Sequence, residues 1–282
     1  MNRGLMLQNT LYKDIPLGRQ IGHSESYDPS QLFSVPRKEA RAALGILDEL
    51  PFSGVDIWNA YELSWLDGKG KPCVAAGEIS FPCTSANIIE SKSLKLYLNS
   101  FNFTRFESAE KVIKTITKDL SLKASADVKV KFFMPEGFFR MKVSDPSGTC
   151  IDTLDLESEI NTKELTPGYL KTSPVEVEEE LFSNLLRTNC PVTGQPDWAS
   201  VMIKYRGNAI DHRGLLRYII SLRRHSGFHE NCVELIFMDI LKLCKPARLS
   251  VYARFTRRGG LDINPGRSNH GEIFSNIRLA RQ

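Results

Sequence analysis

The pattern of apolar and polar positions in the first half of the chain predicts a strand hairpin, two helices and a second hairpin. Apolar and polar residues alternate in the strand segments, whereas the helical segments carry apolar residues three and four positions apart. Turn-forming runs at 67–70 and 135–137 separate the paired strands, and Ser108 is placed to cap the second helix. The predicted strands are 55–65, 73–81, 127–134 and 138–143, and the predicted helices are 91–100 and 108–120.

The second half repeats this order of elements without repeating its residues. A polar segment at 152–173 is predicted as a linker, and residues 175–188 are predicted as an amphipathic helix that leads into Cys190. Because both halves read strand, strand, helix, helix, strand, strand, a duplicated module is the economical explanation. Each module would lay two antiparallel helices on one face of a four-stranded antiparallel sheet, an α+β fold. The remaining predictions are strands at 198–205 and 248–255, a turn at Gly207 and Asn208, and helices at 215–224 and 228–243.

The start of the chain differs from both halves. It is rich in turn-forming proline and shows only a short helical pattern at 38–50, which predicts an extended arm packed on the core. The 282 residues are enough for one large domain or two smaller ones, and two is the expectation. The predicted organisation is an arm at 1–52, a first module at 53–160, and a linker with a second module at 161–282.

The composition of the chain limits the classes of function that are expected for it. Hydrophobic residues make up 41% of the chain and charged residues 25%, and no apolar run approaches the roughly 20 residues that span a bilayer. Residues 1–20 lack the plan of a secretory signal, so a cytoplasmic protein is expected. The net charge of +4 is too small and too dispersed to predict nucleic acid binding. The six cysteines form no CxxC pair, which favours free thiols over a disulfide scaffold or a zinc ribbon.

The loop that begins at Cys190 carries the strongest chemical signal. It places Asp197 seven residues after the thiol and is constrained by Pro191, Gly194 and Pro196. A rigid loop can hold a thiolate beside a proton source, which the addition of sulfur to a polar multiple bond requires. The alternative is structural, because free cysteine is often a small buried hydrophobic residue and an aspartate often caps a turn.

Residues 226–232 lie at the predicted start of a long helix. There His229 is a candidate for proton transfer, and the Glu230 carboxylate could accept two hydrogen bonds from a guanine-like edge. An acid at this place could also simply complement the helix dipole. A metal site is a rival interpretation, because His225, His229 and Cys232 would share one helical face if the helix extended back to His225. Residues 226–227 are expected to break that helix.

Two segments are candidates for anion contacts. Ser91 and Lys92 open the first predicted helix, where side chains, N–H groups and dipole could together hold a phosphate. Arg258 and Gly259 follow the strand at 248–255 and offer a guanidinium fork beside an accessible backbone. A solvated helix and an ordinary basic turn are the alternatives. The sequence contains neither the GxGxxG nor the GxxxxGK[ST] pattern, so a dinucleotide would have to be bound in another way.

Taken together, these segments resemble the NADPH-dependent 7-cyano-7-deazaguanine reductases in their longer, two-module form. The family signature, an acid followed by Ser-Lys-Ser-x-Lys and an aromatic residue, stands here as residues 90–97. The cysteine loop with its acid stands as Cys190 and Asp197, and the histidine-glutamate pair as His229 and Glu230. The resemblance covers nearly the whole chain.

The resemblance implies two tandem tunnelling-fold modules and the reduction of the nitrile of 7-cyano-7-deazaguanine to an amine, in queuosine biosynthesis. It implies a thioimide on Cys190, Asp197 as the proton donor, two NADPH per turnover and no metal. A homodimer is the expected assembly. The implied catalytic residues are Cys190, Asp197 and His229; the implied substrate contacts are Ile89, Glu90, Ser91, His229 and Glu230; and the implied NADPH contacts are Ser91, Lys92, Arg258 and Gly259.

Two other classes stay open on the residues alone. A zinc-dependent hydrolase of the same fold could act on a purine or pterin with cysteine and histidine as metal ligands. A binding module could hold a deazapurine without reacting with it, although binding alone gives little reason to place an acid beside a thiol. Fold analogy does not decide among them, because one fold hosts many chemistries.

Overall fold

The computed structural model describes residues 26–156, 162 and 164–282. The expectations for residues 1–25, including the lack of a secretory signal, and for the centre of the linker lie outside these ranges, as does the predicted module boundary at 160/161. The strands are β1 (Ser34–Pro36), β2 (Ser53–Leu66), β3 (Pro72–Pro82), β4 (Asn87–Ile89), β5 (Lys129–Phe133), β6 (Thr149–Cys150), β7 (Thr172–Asn189), β8 (Pro196–Ile210), β9 (Arg248–Phe255) and β10 (Leu261–Ser268). The α-helices are α1 (Lys38–Ala43), α2 (Ser91–Asn99), α3 (Ala109–Ala124), α4 (His212–Ser221) and α5 (His229–Cys244).

One mixed sheet runs through both halves of the protein. Its strand order is β5-β3-β2-β10-β9-β8-β7-β6, and all neighbours are antiparallel except β6 and β7. The joint is the pairing of β10 with β2, which brings the last strand of the chain beside the first strand of the sheet. The α+β class is therefore confirmed, while two separate four-stranded sheets are not found: the first half supplies β2, β3 and β5, and the strand paired with β2 is β10 of the second half. β1 and β4 form a separate antiparallel pair beside this sheet.

Two hydrophobic cores lie under the helices. Leu94, Ile116 and Leu120 of α2 and α3 pack with Trp58 and Ile79 of the first half. Helices α4 and α5 pack in the same way on the strands of the second half, where alternate residues of β8 and β9 point inward. The inward residues of the second half include Val201, Ile203, Leu215, Ile219, Ile236, Phe237, Val251 and Ala253. The alternation of these strands gives the sheet one apolar face, and the helices cover it.

The predicted helix at 175–188 is wrong, because this segment is the long strand β7. Its glutamate-rich start has high helix propensity, but residues from Thr172 to Asn189 pair with β8. The pairing register shifts between Ser183 and Leu186, which marks a β-bulge. The bulge interrupts the two-residue period of apolar positions, so Leu181, Leu185 and Leu186 fall at a spacing that imitates a helix. Tertiary pairing overrides the local preference here.

Three smaller predictions are also wrong. The predicted strand at 138–143 begins as a 3-10 helix, Pro135–Arg140, and Phe138 and Phe139 are exposed. The helix predicted at 38–50 ends at Ala43, because Gly45 adopts a left-handed conformation with φ of 77°. The turn predicted at 207–208 lies inside β8, which continues to Ile210.

The remaining predicted elements are present with boundaries shifted by a few residues. Ser108 caps α3 as expected, because its side chain accepts a hydrogen bond from the N–H of Lys111. The described part of the arm packs on both halves: Tyr27 donates a hydrogen bond to Asp119 of the first half, and Ile46 and Phe52 lie in the core of the second half. Among the described residues, none of the helices is both long enough and apolar enough to cross a membrane.

Candidate active site

A pocket with an empty volume of about 480 Å³, open solvent at its mouth included, lies where the two halves of the sheet meet. Four segments that are distant in sequence line it: the β4–α2 junction, the β7–β8 loop, the start of α5 and the β9–β10 turn. The lining residues are Ile89, Ser91, Cys190, Pro191, Asp197, Gly227, Phe228, His229, Glu230, Arg258, Leu261 and Ile263. The fold thus brings together most of the residues that the sequence singled out.

Cys190 is the first residue of the tight loop between β7 and β8. Its N–H donates to the carbonyl of Gln195 at 2.8 Å, and its carbonyl accepts from the N–H of Gly194 at 3.0 Å. Gly194 adopts a left-handed φ of 68°, which suits a tight turn. The side chain of Cys190 is buried, with 4% of the residue exposed. The rigid loop predicted from the sequence is present, although it follows a strand and not a helix.

Backbone hydrogen bonds connect this loop to the start of α5. The N–H of Asn189 donates to the carbonyl of His225 at 2.8 Å, and the N–H of Gly227 donates to the carbonyl of Asn189 at 3.2 Å. These bonds place the segment before His229 next to the residue that precedes Cys190. The thiol and the histidine-glutamate pair therefore lie in one pocket because two backbone segments are paired.

Asp197 contacts two polar side chains of the pocket, those of His229 and Arg258. Its Oδ2 lies 3.5 Å from Nε2 of His229, and its Oδ1 is paired with the guanidinium of Arg258. The imidazole of His229 stacks on the ring of Phe255, with centroids 3.8 Å apart and planes 4° from parallel. Within the described ranges, the buried Nδ1 of His229 has no hydrogen-bond partner. The stacking on Phe255 fixes the plane of the imidazole.

Glu230 is a buried carboxyl group at the second position of α5, with 2% of the residue exposed. Burial raises the pKa of Glu230 to about 7, and the negative charge of Asp56 adds to the increase. Arg37 and Arg267 act in the opposite direction. A carboxyl group with this pKa can change its protonation state when a ligand that donates hydrogen bonds enters the pocket.

Glu90 has a structural task at the start of α2. Its two carboxylate oxygens accept hydrogen bonds from the N–H groups of Lys92 and Ser93, each at 2.8 Å. The residue is fully buried, and this burial raises its pKa even though the hydrogen bonds oppose the shift. Because Glu90 uses these N–H groups, a phosphate at this helix start would depend on the side chains of Ser91 and Lys92.

Comparison with known proteins identifies the family. The family model for nitrile reductase, 7-cyano-7-deazaguanine-reductase N-term, matches residues 23–132, and the model for QueF-like protein matches residues 196–272. The NADPH-dependent 7-cyano-7-deazaguanine reductase of Desulfotalea psychrophila is 70% identical over 95% of this chain and 97% of its own. The protein of the same name from Paraburkholderia phytofirmans is 53% identical over 95% of this chain and 98% of its own.

This chain belongs to the NADPH-dependent 7-cyano-7-deazaguanine reductase family. The resemblance read from residues 90–97 and from the Cys190 loop is thereby confirmed. A solved structure, the archaeosine synthase QueF-Like in the apo form, aligns with 36% of this chain and 99% of its own at 16% identity and a TM-score of 0.31. The family assignment depends on the sequence relatives alone.

In this reductase family member, the three candidate metal ligands His225, His229 and Cys232 do not lie on one helical face. Helix α5 begins at His229, so His225 lies before the helix, as the break at residues 226–227 predicted. The Sγ of Cys232 donates to the carbonyl of Gly227, and burial raises the pKa of this thiol to about 12. In the part of the chain that the structure describes, no group of three or more potential metal ligands is assembled.

Basic side chains lie at the predicted nucleotide contacts of this reductase family member. The β9–β10 turn approaches α2 so closely that a Cβ on Gly259 would lie 2.9 Å from Cδ of Lys95. Arg258 of the turn lines the pocket, and Lys95 of α2 lines the adjacent cavity together with Gly259. A donor set of ammonium and guanidinium groups suits the phosphates of NADPH.

Sequence reasoning missed several contributors to this pocket. Phe228 and Pro191 line the pocket beside the predicted residues, and the ring of Phe255 stacks on the imidazole of His229. Phe228 directly precedes the predicted histidine-glutamate pair, so its position was a usable signal. Nothing local to Phe255 or to the pairing of Asp197 with Arg258 indicates these contacts, because 26 and 61 positions separate the partners.

Proposed function

We propose that this protein reduces the nitrile of 7-cyano-7-deazaguanine to a primary amine with two molecules of NADPH, in queuosine biosynthesis. The observation that carries the proposal is the single pocket that contains the Cys190 thiol together with Asp197, His229 and Glu230. A thiol, a proton carrier and a carboxylate that can receive a guanine-like edge are what this substrate needs. The names of the relatives support the same activity.

The first step of the proposed reaction is the addition of Cys190 to the nitrile. Sulfur forms a bond to the nitrile carbon and gives up its proton to the Asp197–His229 pair, while the nitrile nitrogen gains a proton from Asp197, so the covalent thioimide forms without a net change in protons. Asp197 is the proposed donor of that proton. The 3.5 Å distance between Asp197 Oδ2 and His229 Nε2 supports a role for His229 in proton transfer.

Recognition of the deazaguanine is assigned to the start of α5 and the β4–α2 junction. The Glu230 carboxylate is the proposed acceptor for the ring N–H and the exocyclic amine, because a carboxylate accepts two parallel hydrogen bonds. His229 and its unpaired Nδ1, with Ile89, Glu90 and Ser91, complete the proposed contacts. Phe228 adds an aromatic surface to the lining of the pocket.

Ser91, Lys92, Arg258 and Gly259 are the proposed contacts of NADPH, and Lys95 lies against the same turn. When bound, NADPH supplies the hydride for each of the two reductions. The task of the residues of this chain is to hold its phosphates by charge and to exclude water from the pocket. The reaction is proposed to need no metal.

We also propose two tunnelling-fold modules, at 53–160 and 161–282, preceded by the arm at 1–52. The two separate hydrophobic cores, each under a pair of helices, support this division. A homodimer is proposed, together with a cytoplasmic location and no direct contact with nucleic acid. The six free cysteines fit a reducing compartment.

Intact-protein mass spectrometry after mixing the protein with 7-cyano-7-deazaguanine, without NADPH, tests the covalent step. We expect a mass increase of one substrate that disappears when NADPH is added and amine is released. Cys190→Ala should lose both the adduct and the reduction, whereas Cys244→Ala, which removes another buried thiol away from the pocket, should retain both. Turnover by Cys190→Ala would overturn the covalent mechanism.

Asp197→Ala tests the proton donor separately. General acid catalysis contributes about 10² to 10⁴ in rate, so the adduct should form more slowly by that factor. NADPH should still bind, because Asp197 is not one of the proposed phosphate contacts, and its removal releases Arg258 for a phosphate. Stopped-flow measurement of adduct formation, with a parallel NADPH titration, distinguishes the two effects. Adduct formation at the wild-type rate would remove Asp197 from this role.

A further inference from the structure

A buried ion-pair network joins the N-terminal segment to helix α5, which also carries Glu230. Arg37 Nη2 lies 2.6 Å from Asp56 Oδ2, and Arg41 Nη2 lies 2.7 Å from Glu234 Oε1. Arg267 joins the two pairs, with Nη1 2.7 Å from Asp56 and Nη2 2.9 Å from Glu234. All five residues are at most 8% exposed. The arm, the first half, α5 and the last strand thus share one cluster of charges.

This cluster carries one positive charge in excess. Arg37, Arg41 and Arg267 contribute three positive charges, and Asp56 and Glu234 contribute two negative ones, which leaves +1 in a buried cluster. A buried charge without a counter-charge is costly, so a further carboxylate nearby would stabilise the cluster. An ionised Glu230 would balance it.

The geometry directs this excess charge toward Glu230. Glu230 and Glu234 are four positions apart on α5, so their side chains project from the same face of the helix. Arg37 Nη1 lies 4.0 Å from Glu234 Oε1 and, within the described ranges, has no hydrogen-bond partner although it is buried. The free N–H groups of Arg37 therefore lie beside the face of α5 that carries Glu230.

We propose that Arg37, held by Asp56, is a positioning residue for Glu230: it supplies the counter-charge that lets Glu230 receive the guanine-like edge of the substrate as a carboxylate. The inference rests on the proposed function, in which Glu230 contacts the deazaguanine. It gives the N-terminal segment a function at the site, although none of the described residues of this segment lines the pocket. A substrate that donates two hydrogen bonds selects the ionised form of Glu230.

Several other charged and titratable groups surround Glu230. Arg267 of β10 acts on Glu230 in the same direction as Arg37, and Asp56 of β2 acts in the opposite direction. Arg41 and Glu234 neutralise each other in a two-point contact. On α5 itself, His229 precedes Glu230, and Cys232 remains a thiol because burial raises its pKa to about 12. Across the pocket, Asp197 is paired with Arg258.

The test is the pH dependence of binding of 7-deazaguanine, which presents the guanine-like edge but has no nitrile to react with Cys190. In the wild type, affinity should fall as the pH drops through about 7, because protonated Glu230 loses an acceptor. In Arg37→Gln we expect the midpoint to rise by about one pH unit, which weakens binding at neutral pH by about fivefold and leaves alkaline binding nearly unchanged. Calorimetric titration over the pH range measures both.

Three variants control for a structural effect. Arg37→Lys keeps the charge and should keep the midpoint near that of the wild type. Arg41→Gln removes a guanidinium from the same network, but one that neutralises Glu234, and should leave the midpoint in place. Asp56→Asn should move the midpoint to lower pH, opposite to the shift expected for Arg37→Gln. A loss of packing alone would not shift the midpoints of the two variants in opposite directions. Thermal unfolding of each variant establishes that it is folded.

Each outcome decides the proposal. Equal midpoints in the wild type and Arg37→Gln would overturn it, as would equal increases in Arg37→Gln and Arg41→Gln. If Arg37→Gln does not fold, Asp56→Asn provides the test, and an unchanged or higher midpoint there overturns the proposal. Failure of the proposed function is distinguishable, because the wild type would then neither bind 7-deazaguanine at any pH nor form the nitrile adduct.

Discussion

Arg258 in the β9–β10 turn donates a charge-assisted hydrogen bond to the carboxylate of Asp197 near the start of β8. The proposed proton donor and a proposed NADPH contact therefore interact directly with each other. A phosphate that attracts the guanidinium would compete with Asp197 for it. The interactions of Asp197 and the binding of NADPH are thus connected through the side chain of Arg258.

Replacing Arg258 with Met should weaken NADPH binding more than it affects the thiol chemistry. The loss of a hydrogen bond from a charged group costs about 1.5 to 3 kcal/mol, so the KM for NADPH should rise by about 10- to 150-fold. Adduct formation without NADPH should persist. Arg257→Met is the matched control, because the Arg257 guanidinium lies 5.0 Å from the centre of the Tyr61 ring. A slowed adduct with unchanged KM would instead assign Arg258 to Asp197 alone.

Glu230 should make folding stability depend on pH in an unusual direction. Its pKa is raised from 4.5 to about 7 in the folded protein, chiefly by burial. Below pH 4.5 the carboxyl group is protonated in both the folded and the unfolded protein, and the stabilising contribution of Glu230 is fully present. As the pH rises toward 7, the unfolded chain releases the proton while the folded protein retains it, so stability falls by about 3 kcal/mol.

Glu230→Gln should remove this slope, and urea unfolding from about pH 5 to pH 8 measures it. Glu234→Gln is the matched comparison on the same helix. Interactions with Arg267 and Arg41 lower the pKa of Glu234, so its contribution is present at neutral pH and is lost as the pH falls. A wild-type slope that persists in Glu230→Gln would contradict the assignment.

Gly54 should be essential to the joint between the two halves. A Cβ at this position would lie 2.0 Å from the carbonyl oxygen of Gly266, which belongs to the partner strand β10. Because backbone and not a flexible side chain occupies that space, Gly54→Ala should cost about 3 kcal/mol or more of unfolding free energy. Gly137→Ala, where nothing lies within 4 Å, is the control and should be nearly neutral. Denaturant unfolding of both variants provides the comparison.

Local patterns were sufficient for elements whose boundaries depend on neighbouring residues. The strand predicted at 248–255 is β9, and Ser108 caps α3, because alternation and capping act over a few positions. The same local logic failed at β7. There the bulge between Ser183 and Leu186 interrupts the alternation, and only the pairing with β8 overrides the helix propensity of the glutamates.

The sequence by itself determined the family, the residue types of the candidate site and the Cys190 loop, because each is encoded in a short run of neighbouring residues. Only the tertiary structure decided that β10 pairs with β2, that Arg258 pairs with Asp197, and that Arg37 lies beneath α5. These partners are 61 or more positions apart. Contacts over such distances arise from the burial of whole faces and charges, and no local pattern of residues records which partner will be buried with which.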